Sequence, residues 1–503
     1  MKKFILLITV FYFSVATVFS QGVNGVIVSD TSNFKIIKVW GTHQERGYAL
    51  GYLDGDRVIN LLEGYIKPAL GSYYAVLRGY LESGSKFIID SNYDIEAQGM
   101  ADGIIAAGFA NADEIDKIDV LACNTFFDFL GYLNYKDINI GCSSLMSWGD
   151  ATTSTDLDGK SVISRHLDWN PSPYLKNSNV VVAHIPDEEN EQAWITIGFS
   201  GQMSALSGVN SSGLALFQHS LDDFSGYADQ STLYEPIWFT TRKVLESIDY
   251  NGDNQNDVND LRSAMIENTS GYSNGVIISA LAPASLSYDT LIALVAESAC
   301  TEPYHSFRTN TYDDLIPGDN LYAANGSVIR NNANNYEPRY MNVVNNIGDG
   351  TMISSEANWG IMAEYSNLGY SNLQFIQFIP EDRILNVSVS DANNYAYEKE
   401  PVSMLIDSLF TIPSTGVSNI NEQSSFRIFP NPSHGNISIE LASDINKTVS
   451  VSVYSCTGKV VREMTYINNN QTFNIDLNEY QGVYIIELKT QNNIYRKKIV
   501  IKK

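Results

Sequence analysis

Among four cysteines and six histidines in 503 residues, one cysteine stands apart by its neighbours. Cys142 sits in Gly-Cys-Ser-Ser, residues 141–144, and an Arg-x-x-Asp, Arg165 to Asp168, follows in SVISRHLDW. Gly141 admits backbone conformations closed to residues with a Cβ, which predicts a strained, accessible Gly141–Cys142 peptide whose carbonyl the Cys142 thiol attacks. Cleavage there leaves Cys142 as a new N-terminus. Such a residue carries nucleophile and base together. Its α-amine has a pKa of ~8 and its thiol one of ~8.5 before perturbation, so the amine takes the thiol proton near neutral pH at little cost. No histidine is then required, and none of the six is spaced as the partner of a Cys-His pair.

Positioning falls to the elements around these residues. From Cys142 on, CSSLMSW, SVISRHLDW, NVVVAHIP, AWITIGFS and GLALFQHS read as strands. Upstream, IIKVWGTHQERGYALGYLDGDRVINLLEGYIKPAL predicts a strand, a turn and a helix, and NYDIEAQGMADGIIAAG and DEIDKIDVLACNTFFDFL predict more helix. Helices return at LYEPIWFTTRKVLESI and VNDLRSAMIENT, and strands at NGVIISALA and LIALVAES. Strands, a helical layer and more strands suit a layered α/β sandwich.

The ends of the chain are of another kind. MKK followed by FILLITVFYFSVATVFS has the form of a signal peptide over residues 1–20, so the protein is expected to be exported. No later run of about 18 apolar residues predicts a membrane-spanning helix. Acidic residues outnumber basic ones 57 to 32, which argues against a nucleic-acid partner, whose phosphates would be repelled. Export permits disulfides, and Cys123 with Cys300 is one candidate pair; Cys456 reads as a buried small hydrophobe. A polar stretch around 414–423 reads as a linker. Beyond it, residues 424–503 read as a small antiparallel β-sandwich with alternating strands and a basic end, KKIVIKK.

Two resemblances bear on these readings. FPNPSHG, VYSCTGKVV and GVYIIELKTQNNIYRKKIVIKK resemble the C-terminal sorting domain of Bacteroidetes type IX secretion, which implies the type IX machinery as a partner and release or surface attachment as the outcome. The order GCSS, SRHLDW, SGVNSSGLALFQHS, LYAANGSV and EPRY resembles the N-terminal-nucleophile (Ntn) hydrolases of the acyl-CoA:6-aminopenicillanic acid acyltransferase type, relatives of the choloylglycine hydrolases. GTHQERGYALG and EAQGMADG resemble that branch's pro-segment. The implied fold is a four-layer αββα sandwich of the α/β class, with residues 21–141 as a mostly helical pro-segment and 142–413 as the catalytic region.

Carried over residue by residue, the resemblance implies cleavage between Gly141 and Cys142, Cys142 as nucleophile and Asp168 as the carboxylate holding its amine. Arg165 is then beside the thiol and favours the thiolate. The Asn325 side chain donates to the oxyanion, and Arg339 matches a later family arginine. The second oxyanion position falls at Ser220, with His219 adjacent, and the donor there is the backbone N–H of one or the other. The interval from Cys142 to Arg165 implies a wide hairpin through DATTSTDLDGK.

Other readings stand beside these. Arg165 and Asp168 alone would be an ordinary surface ion pair worth ~0–1 kcal/mol. Asn325-Gly326 is also a hairpin-turn signal, and Asn210 in GVNSSGL reads as a turn residue. In DYNGDNQNDVND, Asp249, Asn251, Asp253, Gln255 through its carbonyl, Asp257 and Asp260 have the spacing of a calcium loop, or of a solvated acidic turn. Calcium there would be structural, and no cofactor is required for the chemistry. The expected function is hydrolysis of an N-acyl amide in a small-molecule substrate. The rivals are acyl transfer, a phospholipase B-like or ceramidase-like lipid acyl hydrolase, and a non-catalytic surface-binding protein.

Overall fold

The computed structural model describes residues 22–31, 33–133, 141–221, 227–286, 291–312, 315–412, 426–441, 449–455, 460–466, 472–478, 480–489 and 494–502. The expected leader, the 414–423 linker and Cys456 lie outside the described residues. The chain divides into two compact units, Met1–Ile412 and Pro413–Lys503.

In the first unit nine strands form one sheet in the order Gly25–Asp30, Phe34–Gly41, Asn179–Pro186, Trp194–Phe199, Ser207–Asn210, Ala215–Ser220, Val276–Leu281, Ala293–Ser298 and His305–Arg308. Neighbours are antiparallel except Phe34–Gly41, which runs parallel to Asn179–Pro186. A second, six-stranded sheet runs Asn320–Ala323, Gly141–Ser147, Val162–Asp168, Asn372–Ile379, Ile384–Val389 and Val402–Leu405.

The period-two alternation of each strand divides its side chains between two layers. Ile36, Val181, Ile197, Phe217 and Val295 of the first sheet meet Met146, Ile163, Ile376 and Val387 of the second in one apolar layer. Alternate residues of the same sheet, Ile37, Val180, Val182, Ile278 and Leu294, face the opposite way, against the helices His43–Leu61, Ser91–Ala107, Lys117–Leu133, Ile237–Glu246 and Val258–Glu267. On the far side of the second sheet, Leu145, Tyr322 and Phe375 pack against Pro338–Asn346 and Ser355–Tyr365. The layers are therefore helix, sheet, sheet, helix. Each buried branched side chain contributes about 1.5–3 kcal/mol, so the two sheets are held from both faces.

Residues 22–133 are woven into this architecture. They supply two strands of the large sheet as well as its helical cover. The His43–Leu61 helix opens on a capping box, Thr42 with Glu45, and lies very close to Ser91–Ala107. A Cβ added at Gly51 would stand 2.0 Å from the Met100 carbonyl oxygen, and one at Gly103 would stand 2.1 Å from that of Tyr48. Cys123 and Cys300 do not join: Cys123 remains a buried thiol of the Lys117–Leu133 helix, pushed up to about 12 by that burial. Among the described residues, no helix is long and apolar enough to cross a membrane.

The second unit is a small antiparallel sandwich. Phe426–Phe429, Asn436–Leu441 and Thr472–Asp476 form one sheet, and Val460–Tyr466, Val449–Ser455, Gly482–Lys489 and Ile494–Ile501 the other. Ile437, Ile439, Val451, Val453, Phe473, Ile486 and Ile499 fill the space between them.

Candidate active site

Cys142 and Asp168 meet because their strands pair antiparallel, with Gly141 opposite Asp168, Cys142 opposite Leu167 and Ser144 opposite Arg165. The link between the strands is the 148–161 loop, opened by a short 3-10 turn, Gly149–Ala151. Gly141 departs from the expectation of an accessible, strained peptide. It is buried in regular strand and does not use a left-handed φ. What it supplies is space: a Cβ there would fall 2.1 Å from Leu368 Cδ1 and 3.3 Å from Asp168 Cβ.

The Cys142 side chain is fully buried. Arg165 donates from Nη2 to the Gln218 carbonyl at 2.8 Å and stands 3.5 Å from Cys142 Sγ. Its Nε and Nη1 have no hydrogen-bond partner among the described residues. Burial raises the thiol pKa in the continuous chain, with the Arg165 charge the largest opposing influence. The same burial lowers the Arg165 guanidinium.

Asp168 is also fully buried. Burial raises its carboxyl to about 6, against the pull of an Asn372 hydrogen bond, the Arg339 and Arg165 charges and the Leu368 backbone N–H. Asn372 Nδ2 donates to Asp168 Oδ1 at 2.9 Å and lies 2.8 Å from His166 Nδ1, while the Tyr397 N–H donates to its Oδ1. Among the described residues Asp168 Oδ2 meets no donor at hydrogen-bond geometry, and Arg339 Nη1 lies 3.7 Å away.

Asn325 and Arg339 reach the same place from another part of the chain. The Cys142 backbone N–H donates to Asn325 Oδ1 at 2.9 Å, and Arg339 donates to that oxygen from Nη2 at 2.5 Å and to the Cys142 carbonyl from Nη1 at 3.3 Å. Asn325 Nδ2 faces away, donating to the Ser220 carbonyl at 2.6 Å and to Ser220 Oγ at 3.0 Å. The side chain thus presents its oxygen to Cys142. Donation to an oxyanion requires the amide to leave Ser220. Asn325 ends the Asn320–Ala323 strand in an irregular segment rather than a hairpin turn. That segment is tied down by Glu297, a buried carboxylate accepting the N–H groups of Val328, Ile329 and Arg330 and the Ser327 hydroxyl. His219 and Ser220 close the Ala215–Ser220 strand, paired with Ile277 and Val276; the His219 ring lies 2.7 Å from Ser144 Oγ and 3.3 Å from the Ala324 carbonyl, and burial holds it well below the ordinary histidine range.

The structure therefore gathers Cys142, Arg165, Asp168, Asn325 and Arg339 around one thiol, with Ser220 behind Asn325. Asn372 and Glu337 belong to this set and were not anticipated. Glu337 precedes Arg339 in the quoted EPRY, but nothing in its spacing marks it, and Asn372 lies on a strand that the pattern did not reveal.

The acidic loop is separate. Asp249 accepts the N–H groups of Gly252, Asp253 and Asn254; Asp253 accepts that of Gln255; Asp260 accepts those of Tyr250, Asn251 and Asp257. Asp257 caps the Val258–Glu267 helix, and Asn254 takes φ 71°, a conformation Asn tolerates. These carboxylates accept backbone N–H groups of the loop and of the helix start. Among the described residues the group whose ligand atoms do come within 4.8 Å is His43, Glu191 and Glu246. There the His43 ring nitrogens lie 2.7 Å from Glu96 and 2.8 Å from Glu191; Arg242 shares Glu96 Oε2 with His43 and also pairs with Glu246, and Arg46 pairs with Glu188 and Glu191. An imidazolium and two guanidinium groups fill the places a metal ion would take.

Residues 427–502 match the family of secretion system C-terminal sorting domains. A comparison with curated protein sequences gave no match. Among solved structures the chain is similar to a Caenorhabditis elegans ortholog of N-acylethanolamine-hydrolyzing acid amidase, at 12% identity and TM-score 0.36, over 52% of this chain and 100% of that one. It is also similar to a mutant of conjugated bile acid hydrolase from Clostridium perfringens, at 12% identity and TM-score 0.33, over 54% of this chain and 95% of that one. A second variant of that hydrolase aligns at 10% identity and TM-score 0.28, over 54% of this chain and 87% of that one.

Proposed function

We propose that this protein is an exported, self-cleaving Ntn cysteine amidase that hydrolyses an N-acyl amide through a thioester on Cys142. One observation carries the reading: on two paired strands, a buried thiol lies 3.5 Å from a guanidinium and next to a buried carboxylate with one oxygen lacking a hydrogen-bond partner among the described residues. An unpartnered buried acceptor is costly, and buried polar groups are nearly always bonded. A new amine on Cys142 is the donor that Asp168 Oδ2 lacks.

Activation begins when Cys142 Sγ attacks the Gly141 carbonyl carbon. The peptide C–N bond breaks as the nitrogen takes up the thiol proton, and water hydrolyses the resulting thioester. The products are a carboxylate on Gly141 and a free amine on Cys142, close to Asn325 Oδ1 and Asp168. In turnover the amine takes the thiol proton and Arg165 offsets part of the cost of a thiolate in a buried site. The thiolate attacks the substrate carbonyl, the departing amine collects the proton, and water releases the acid.

Outside the cell CoA is scarce and water is not, so hydrolysis is favoured over acyl transfer. The sorting domain supports delivery by type IX secretion to the surface or the medium. The test is a panel of N-acyl amides, with hydroxylamine to trap the thioester. Wild type should release amine and yield acyl hydroxamate, and Cys142→Ala should do neither. Undiminished turnover by Cys142→Ala would overturn the assignment.

A further inference from the structure

We propose that Glu337 is a positioning residue of this site: its carboxylate holds the Arg339 guanidinium and the Asn325 backbone together, and so keeps Arg339 away from Asp168. The inference rests on the amidase reading above and assigns a role to a residue that reading does not use.

The contacts are specific. Glu337 Oε1 accepts from the Asn325 backbone N–H at 3.1 Å and from Arg339 Nη2 at 2.5 Å, and its Oε2 accepts from Arg339 Nε at 3.3 Å. One carboxylate thus fixes two groups that both touch Cys142. Glu337 lies one residue before the Pro338–Asn346 helix, which carries Arg339. Pro338 fixes its own φ and restricts the residue before it, so Glu337 and Arg339 leave the backbone in set directions.

Arg339 Nη1 stands only 3.7 Å from Asp168 Oδ2, the oxygen without a hydrogen-bond partner among the described residues. A guanidinium and a carboxylate so close and so dry close to contact unless something restrains one of them. Arg339 is restrained by Glu337, by Asn325 Oδ1 and by the Cys142 carbonyl, which accepts from Nη1, and Glu337 is the one carboxylate among the three. Without Glu337, Arg339 moves onto Asp168, takes the acceptor meant for the Cys142 amine, and leaves that amine beside a guanidinium and without a carboxylate partner. The other charged groups facing the site are Arg165 and Asp168 on the adjoining strand. Tyr322, His166 and His219 pack nearby, and burial keeps all three neutral near pH 7.

The experiment uses the full-length protein as wild type, Glu337→Ala and Glu337→Gln. It reads fragment formation by intact mass, the melting temperature, and the rate of Cys142 alkylation by iodoacetamide from pH 5 to 9. Glu337→Ala should slow cleavage and alkylation by roughly 10²-fold, the scale of an ångström-sized misplacement. Its acidic limb should move to lower pH, because an amine that has lost its carboxylate partner to a neighbouring guanidinium is harder to protonate. Glu337→Gln keeps an acceptor and should recover part of the rate while showing the same direction of pH shift. Unchanged rates and limb in both variants would overturn the role. So would a loss of rate in Glu337→Ala with an unmoved limb and a lowered melting temperature, which marks a purely structural residue. If Glu337→Ala does not fold, Glu337→Gln decides by its limb. Failure of wild type to cleave or to alkylate would instead sink the amidase reading itself.

Discussion

At the residue scale the site is a problem of burying charge. Asp168 sits at about 6 because burial outweighs its one side-chain hydrogen bond and two cationic neighbours. That bond comes from Asn372, whose donor stabilises the ionised form. Replacing Asn372 with alanine should therefore raise the Asp168 pKa further. An amidase that needs Asp168 ionised to hold its amine should then show an acidic limb that moves to higher pH in Asn372→Ala. A pH profile of kcat/KM measures this, and an unmoved limb contradicts the role given to Asp168. Cys142, Arg165 and Asp168 were legible because a Gly-Cys and an Arg-x-x-Asp on successive strands need only a hairpin to meet. Asn372 was not, since an asparagine opening a strand about 200 residues later carries no local signal. Asn325 was half legible: its place beside Cys142 followed from the motif order, but its oxygen-first orientation depends on Ser220 and Arg339, which only the folded chain brings together.

At the element scale the helices over the large sheet are set by backbone contact. Gly51 and Gly103 allow the His43–Leu61 and Ser91–Ala107 helices to touch carbonyl to Cα, and a methyl group at either would strike a backbone oxygen. Gly51→Ala should destabilise the protein by about 1–3 kcal/mol, as overpacking does. Gly79 is the control: in the Tyr73–Ser83 helix it faces open space, so Gly79→Ala should stabilise by about 0.5–1 kcal/mol. Thermal melts that rank the two the other way would contradict this packing. The strands from Cys142 to Ser298 were readable from alternation except Ser207–Asn210, whose last residue was read as a turn residue and does serve the turn, its Oδ1 accepting the Ser212 and Leu214 N–H groups. The Asn372–Ile379, Ile384–Val389 and Val402–Leu405 strands and the Pro338–Asn346 and Ser355–Tyr365 helices were not singled out, although they complete the second sheet and its cover. The acidic loop was readable as a loop rich in Asp and Asn; that its carboxylates serve neighbouring N–H groups depends on backbone directions that spacing alone does not give.

At the scale of the whole molecule, residues on the two sides of Gly141–Cys142 are locked together. His43 and Glu96 lie before that bond and Glu191 and Arg242 after it, in one buried network. Burial disfavours a charged His43, but its hydrogen bonds to Glu191 and Glu96 outweigh burial and raise the ring to about 9. A folded-state pKa raised above the unfolded value of ~6.5 stabilises fully below that value and is lost as pH climbs through about 9. The loss is on the order of 3 kcal/mol. Melting temperatures should fall between pH 6.5 and 10 and fall less in His43→Gln. A fall of equal size in both would contradict the network's role. The Phe34–Gly41 strand, paired with Asn179–Pro186, adds a second lock, so cleavage should leave two fragments that elute as one particle near neutral pH.

The measurement that bears most directly on the whole account is intact mass with N-terminal sequencing of purified wild type and Cys142→Ala. Wild type should give a fragment beginning Cys-Ser-Ser, and Cys142→Ala should remain joined across residues 141 and 142. A folded wild type that stays joined there, or a Cys142→Ala variant that is cut at the same bond, would contradict the self-activating nucleophile on which the function rests.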